Sequence, residues 1–497
     1  MHYAESHSAL FVQCRAPAHA RLMTEARHRL LREPARPERI RSHPHAHWLV
    51  VASVSVGAFM GQLDASIVTL ATPAIQRGFG VSLAAASWVA LSYLLTLVAA
   101  VIPIGRLADA LGRKLVYVYG FGLFTLASAA CAFAPSIGVL DASRVLQGVG
   151  AAMLQANSVA LIRIAMPSGT VGRGIGVQAV SQALGLALGP SVGGILVHAW
   201  GWRSVFLVNV PAGVIGIIAG VLLLPRTRAT HKAPEWDVAG VALLAALTTG
   251  ALLALTAIER GSLTSAAVAL PGTIALLATI VLALHTAARQ RTGRDALLPL
   301  DLLANRHFRA ALGAGLLSYL MLFGTLFITP FVLEEGLRWT PSAAGLFLTL
   351  LPAAIAVVTP FAGRMADRHG PTVPTTAGML LATGAFAIAA TGSSAARVGL
   401  ALVLLGLGSG MFTPANNAAI MLLASHERAS VAGGVLNMTR AFGTALGVAL
   451  VSVIYSRVGG GDAGFRASVL TLMVLAGAAA ALALRADGHR ATERVAA

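Results

Sequence analysis

Residues 105–114 read GRLADALGRK, and residues 363–370 read GRMADRHG. The two segments lie 258 positions apart, with Gly105, Ala108, Asp109 and Gly112 over Gly363, Ala366, Asp367 and Gly370. The same offset carries Gly148 and Gly150 onto Gly406 and Gly408, Met153 onto Met411, and Gly185 and Gly189 onto Gly443 and Gly447. A chain rich in Gly and Ala gives chance matches singly. One offset that serves three separated segments is an internal repeat.

Long apolar runs surround both copies. Working outward, they lie near 48–72, 87–105, 115–134, 137–161, 174–198, 203–224, 238–258, 265–286, 309–333, 343–363, 374–391, 397–423, 430–455 and 467–485. A membrane-crossing helix takes about 20 apolar residues, and a membrane barrel would show about 10-residue alternation instead. Of the 497 residues 57% are hydrophobic and 11% charged, against about 45–50% and about 25% in a soluble domain. That balance excludes a water-soluble globule and a disordered chain. The expected architecture is an all-α integral membrane protein with fourteen transmembrane helices. A tail (1–47) precedes a six-helix bundle (48–224), a linker with two inserted helices (225–308), a second six-helix bundle (309–485) and a short tail (486–497). Parallel repeats of this kind are a transporter device, with the cargo site near the midplane between the halves.

The net charge of +17 would suggest nucleic acid in a soluble protein; here it follows the loops. If both termini are cytosolic, the inner loops and C-terminus hold 19 Lys/Arg and the outer loops 7, the asymmetry of the positive-inside rule. Residues 1–47 are Arg-rich and lack the apolar core of a signal peptide, so they read as a cytosolic tail, with Met23 an alternative start. His43, His45 and His47 sit in that tail and read as solvated rather than as metal ligands. Cys14 and Cys131 form no disulfide or metal pattern. No metal, cofactor or nucleic acid is expected; the partners are lipid, protons and a small molecule.

Charges inside the apolar runs are few, and each needs a partner or a cavity. In the run SRVLQGVGAAMLQANS (143–158), Arg144, Ala151, Gln155 and Ser158 fall within about 40° of one line, with Gln147 at the edge. Counting about 1.5 Å per residue from the span ends puts Asp64 and Arg144 within one helical turn in depth, so they are expected to pair. Asp141, one turn above Arg144, is expected to join as a second acid and make a net negative pocket that favours cationic cargo. Gln62, Asp141, Gln147, Gln155, Gln182 and Arg440 are the expected cavity residues. Under the repeat, Asp64, Asp141 and Arg144 map onto Leu322, Gly399 and Leu402, so these charges belong to the first half; Gln182 maps onto Arg440. In the loop 105–114, Gly105 and Gly112 allow close approach and a sharp turn, Asp109 can accept from arginine, and Arg113 and Lys114 anchor the loop. With Asp367 in the second copy these residues form the expected cytosolic gate. GLALGPSVGG (185–194) places Gly185, Gly189 and Gly193 every four residues, a small-residue seam for tight packing. Pro190 bends that helix, and Gly194 extends the motif. Gly189–Gly193 also fits G-x-S-x-G, but that nucleophile motif needs a strand–turn–helix setting.

Together LDASIVTLATPAI (63–75), GRLADALGRK, RVLQGVGAA (144–152) and GLALGPSVGG resemble the major facilitator superfamily, and within it the fourteen-span drug:proton antiporter family. The resemblance covers 48–485. It implies that Asp64 and Arg144 serve proton coupling, that the 105–114 loop gates the cytosolic side, and that Gly185, Gly189, Pro190, Gly193 and Gly194 go with antiport. The chain departs from the family at Asp141, where an apolar residue is usual, and at Glu334–Glu335, where a Gln-led pair is common; either departure would alter cargo charge preference.

The expected function is export of lipophilic drugs or antibiotics, cationic ones among them, across a bacterial inner membrane in exchange for protons. The alternative is export of one native metabolite, such as an amino acid or a siderophore. A membrane enzyme would need a ligand cluster or a nucleophile–base pair at depth, and no histidine lies mid-span. A nucleotide-driven pump would need a G-x-x-x-x-G-K-[ST] loop, which the sequence lacks.

Overall fold

The computed structural model describes residues 33, 35–167, 170–227, 237–258, 265–292, 300–424 and 429–486. Tail residues 1–32, with Met23, and 487–497 lie outside the described residues. Among the described residues all regular structure is helical, and fourteen helices are long and apolar enough to cross a membrane. Spans one to six are Ala46–Phe79, Leu83–Leu111, Arg113–Ala132, Ile137–Ala165, Arg173–Trp200 and Ser204–Leu223. Spans seven and eight are Val238–Ala257 and Ala266–Arg291. Spans nine to fourteen are Arg306–Gly336, Pro341–Ala366, Thr372–Ala390, Ala395–Leu422, Ala432–Arg457 and Gly461–Arg485.

Several helices outrun their apolar stretch. Span one continues to Phe79, past the expected 72, and stops at Gly80, whose φ of 64° gives a left-handed cap. Hydropathy reports the thickness of hydrocarbon, whereas a helix ends where a residue can break the ladder. Starts are set by side-chain caps: Ser82 on the Ala85 amide, Ser136 on Val139 and Thr340 on Ala343.

The repeat is visible in three dimensions, because the neighbours shift by the same 258 positions. A Cβ added to Gly120 would meet Met153 Cβ at 2.7 Å and the Leu154 nitrogen at 3.3 Å; one on Gly378 would meet Met411 Cβ at 3.3 Å and the Phe412 nitrogen at 3.1 Å. Gly148 lies against the Tyr93 carbonyl and Gly406 against the Leu351 carbonyl. In the first half span one lies along span five and span four along spans two and three; in the second half span nine lies along span thirteen and span twelve along spans ten and eleven.

Spans seven and eight pack on each other, and span seven rests on spans two and thirteen. The inserted pair therefore covers the seam where spans two and thirteen join the bundles, with Leu244 and Leu282 packed near Ile102 and Met438. Asp237 ties the pair together: it caps the Gly240 amide at 2.9 Å and accepts from His285 Nε2 at 2.6 Å. Span eight keeps Leu270, Ile274, Leu277, Val281 and Leu284 exposed at helical spacing, an apolar stripe suited to lipid.

The two bundles are joined at the face opposite the termini. Arg77 Nη2 meets Glu334 Oε2 at 3.0 Å. Ser342 Oγ donates to the Gly194 carbonyl at 3.3 Å, and Gly345 sits directly on the Pro190 carbonyl. At the face bearing the termini, Glu33 accepts from the Thr227 hydroxyl at 2.6 Å and from the Leu115 amide at 3.3 Å. Lys114, expected to anchor the loop, is buried, and its ammonium donates to the Val221 and Leu224 carbonyls at 2.8 and 2.7 Å. Those carbonyls are orphans at the C-terminal end of span six, where a cation is favoured.

Candidate functional site: a buried ion pair beside the cavity between the bundles

Span one brings Asp64 to the middle of the first bundle with no exposed surface, and span four brings Arg144 to it with 1%. Arg144 Nη1 donates to Asp64 Oδ2 at 2.6 Å. The other carboxylate oxygen accepts from Gln147 Nε2 at 2.9 Å and Asn209 Nδ2 at 2.8 Å. Arg144 is itself held by the Val89 carbonyl at 2.9 Å and by Gln147 Oε1 at 2.6 Å. Ser128 Oγ accepts from Gln147 and Asn209 and donates to the Phe206 carbonyl. The two carboxylate oxygens thus accept three side-chain hydrogen bonds, which is what makes a buried charge tolerable. The Tyr93 ring lies 4.2 Å from the Arg144 guanidinium, a cation–π contact on the side toward the cavity.

That cavity lies between the bundles and has a volume of about 90 Å³. A pocket for a drug-sized ligand needs about 300 Å³ or more, so cargo enters only as the bundles part. Gln62, Gln155, Gln182 and Arg440 line it, together with Tyr93, Tyr319 and Asn437. Arg440 is the charged side chain on its wall among the described residues. Its guanidinium stands 5.4 Å from the Tyr319 ring centre, and its buried Nε has no acceptor. Gln182 and Arg440, mates under the repeat, face the same space.

Four expectations are corrected. Gln147 does not line the cavity; it belongs to the buried network around Asp64. Asp141 makes no hydrogen bond or ion pair with Arg144 among the described contacts and does not line the central cavity; it opens into a separate space beside span seven. Residues 141 and 147 lie three positions either side of Arg144, so they project about 60° from it in opposite directions. Only the 147 side faces span one. The expectation of a net negative central pocket falls with it, since its wall carries a guanidinium. Glu334, expected to affect cargo charge preference, is bound to Arg77 at the face where the bundles join and does not line the cavity.

Asn209, Ser128 and Tyr93 were not singled out in the sequence. Asn209 stands in an otherwise apolar run at 205–224, which is the signal that points to it. In the loop motif, Arg113 Nη2 meets Asp109 Oδ1 at 2.5 Å, and Gly112 takes a φ of 106° at the end of span two. Gly105 faces Ala156 with ordinary clearance. The side chain of Asp367 lies outside the described residues. The span-five glycines form a seam on span one: a Cβ on Gly185 would meet the Phe59 carbonyl at 2.5 Å, one on Gly189 would overlap Ser66 Oγ, and one on Gly193 would meet Ile67 Cγ1 at 2.7 Å. Gly194 and Pro190 turn the other way, onto Pro341 and Gly345 of span ten. The motif therefore serves both the bundle interior and the joint between bundles.

The Major Facilitator Superfamily profile matches residues 54–448, with a second match at 311–496. The riboflavin transporter RibZ of Clostridioides difficile is 30% identical over 82% of this chain and 88% of its own. The tetracenomycin C resistance and export protein of Streptomyces glaucescens is 32% identical over 83% and 77%. Among solved structures, a bacterial homologue of the human lysosomal transporter Spinster, inward-facing and occupied, superposes with a TM-score of 0.66 over 90% of this chain and 97% of its own at 16% identity, a likeness of fold. With fourteen apolar helices, a repeat built into both bundles and a cavity between them, the chain belongs to the major facilitator superfamily and is a multi-pass membrane transporter of small molecules, not an enzyme.

Proposed function

We propose that the chain exports drug- or antibiotic-like molecules across the bacterial inner membrane in exchange for protons, by alternating access. The observation that carries this reading is the fully buried Asp64, bound to Arg144 and separated from the cavity by the Tyr93 ring. A proton arriving at Asp64 removes the counter-charge of Arg144. An unpaired buried guanidinium is costly, so the protonated protein favours an arrangement in which Arg144 meets water or another acceptor. Binding of a proton and of cargo then bias the same two-state element, and each alters the affinity for the other. The 105–114 loop, with its Asp109–Arg113 pair, acts as the latch on the cytosolic face. In inverted vesicles, an imposed pH gradient, acid inside, is expected to drive cargo uptake that a protonophore abolishes. Uptake that is indifferent to the gradient would overturn the coupling.

The loop charges orient the chain with both termini in the cytosol. A single cysteine at Thr292 is expected to resist an impermeant maleimide in intact cells, while one at Gly261 is labelled. Labelling at Thr292 without permeabilisation would reverse the orientation.

The cavity wall favours cargo with an aromatic plane and acceptor or acidic groups, since Arg440 stands beside Tyr319 with a free donor. The likeness to a riboflavin transporter makes a native metabolite of that character the second reading. Arg440→Gln is expected to raise the KM for acidic aromatic cargo about tenfold, the loss of one charge-assisted contact, and to leave KM for lipophilic cations equal or lower. Measuring both cargo types in the same vesicles checks it; an equal rise for both would dismiss Arg440 as a charge selector.

A further inference from the structure

A second cavity lies outside the central one, between spans two, four and seven. It has a volume of about 580 Å³, within the range of about 300–1,000 Å³ typical of small-molecule sites. It runs along span two from Trp88 to Pro103, about 22 Å at about 1.5 Å per residue. Its walls are apolar, with Leu95, Ala99, Val145, Val241 and Ala245 among them. Val145 on its rim is exposed on the outside of the helix bundle, so the cavity opens sideways toward lipid. Span two is the partition: Tyr93 and Leu97 face the central cavity, while Trp88, Ser92 and Thr96 face this one.

Two polar groups in this apolar space have no partner. Asp141 Oδ1 is buried without a hydrogen-bond donor. Ser92 is 7% exposed, and its Oγ is likewise unpartnered. The nearest cation, Arg144, is already committed to Asp64, Gln147 and the Val89 carbonyl. A carboxylate facing a low-dielectric cavity is expensive unless it takes up a proton or a cation joins it, and a bound cation favours its charged form. A strongly hydrated ion such as sodium would shed its water for one carboxylate and apolar walls, a poor exchange. An anion would be repelled. A lipophilic cation satisfies both features, its hydrocarbon on the walls and its charge at Asp141, with the Trp88 ring placed for cation–π contact.

We propose that this lateral cavity is a binding site for lipophilic organic cations arriving from the bilayer, with Asp141 as the counter-ion and the inserted span seven as one wall. The site is distinct from the central cavity, and its occupancy does not depend on export or on proton coupling.

Equilibrium binding of radiolabelled tetraphenylphosphonium to the full chain in nanodiscs tests it. Asp141→Asn is expected to weaken binding about tenfold or more, the loss of one buried charge pair. Ala245→Trp, on span seven and remote from the central cavity, is expected to do the same by filling the space. Gly122→Ala, which lines neither cavity and has room for a methyl group, is expected to leave this binding unchanged. Neutral tetraphenylmethane is expected not to compete. Equal affinity of the wild type, Asp141→Asn and Ala245→Trp would overturn the site. Competition by the neutral analogue at equal potency would also overturn it, because the cavity would then be a slot for a lipid chain.

Discussion

Asp64→Asn is expected to abolish transport driven by a pH gradient for every cargo, while the protein still reaches the membrane. The substitution keeps the shape and removes the charge. Asp64 accepts from three side chains, Arg144, Gln147 and Asn209. An asparagine offers one acceptor oxygen and turns an NH2 group toward at least one of those donors. Arg144 is left without a counter-charge at 1% exposure. Removing one partner of a buried pair costs about 3–5 kcal/mol, so the closed arrangement is weakened as well as uncoupled. The check is a pair of assays in the same vesicles. Gradient-driven transport should vanish, whereas cargo counterflow without a gradient should persist, because the central cavity is built by other residues. Undiminished gradient-driven transport by Asp64→Asn would sink the coupling role, and restoration by Asp64→Glu would support it.

The second large effect is expected at Gly189. A Cβ there overlaps Ser66 Oγ and reaches within 3.2 Å of the Ile67 nitrogen. Ser66 cannot simply turn away, since its hydroxyl is held by the Gln62 and Leu63 carbonyls at 3.0 and 3.1 Å. Overpacking in a well-filled interior costs about 1–3 kcal/mol, and here the obstacle includes backbone. Gly189→Leu is expected to reduce export at least tenfold, about 1.4 kcal/mol in effect, with the protein still present in the membrane. Gly189→Ala should fall in between, and Ser66→Gly combined with Gly189→Ala should recover export, the signature of a shared contact. Gly122→Ala serves as the control, because nothing lies within 4 Å of a Cβ at that position and it lines neither cavity. Full export by Gly189→Leu would mean that spans one and five do not depend on this contact.

The glycines show how far composition can be read. Gly61, Gly122 and Gly189 are the same residue in similarly apolar surroundings, yet only Gly189 has no room for a methyl group. The four-residue spacing of Gly185, Gly189 and Gly193 was the legible part, because positions four apart share a helix face. Which span would meet that face was not. The Asp64–Arg144 pair was legible for a related reason. A lone acid and a lone arginine at equal depth in hydrocarbon have few other partners, and depth follows from counting residues along a helix. The Glu33 clasp on Thr227 and Leu115 had no such signal, since nothing in a polar tail specifies where it docks.

The sequence alone determined fourteen spans, their approximate limits, the two related bundles and the depth of each charge. These properties are local: hydrocarbon thickness sets span length, every backbone group must bond within its own helix, and the rise per residue is fixed. The tertiary structure alone decided the rotation of each helix about its axis. Asp141 and Gln147 stand equally far from Arg144 along span four, yet Gln147 closes the network around Asp64 and Asp141 faces a separate cavity beside span seven. The same rotation brought Asn209 and Ser128 to the acid and set Arg440 on the cavity wall. Rotation is fixed by how the sides of several helices interlock at once, by small residues such as Gly185 against the Phe59 carbonyl and Gly443 against the Leu316 carbonyl. That sum over non-local contacts is what no single stretch of sequence carries.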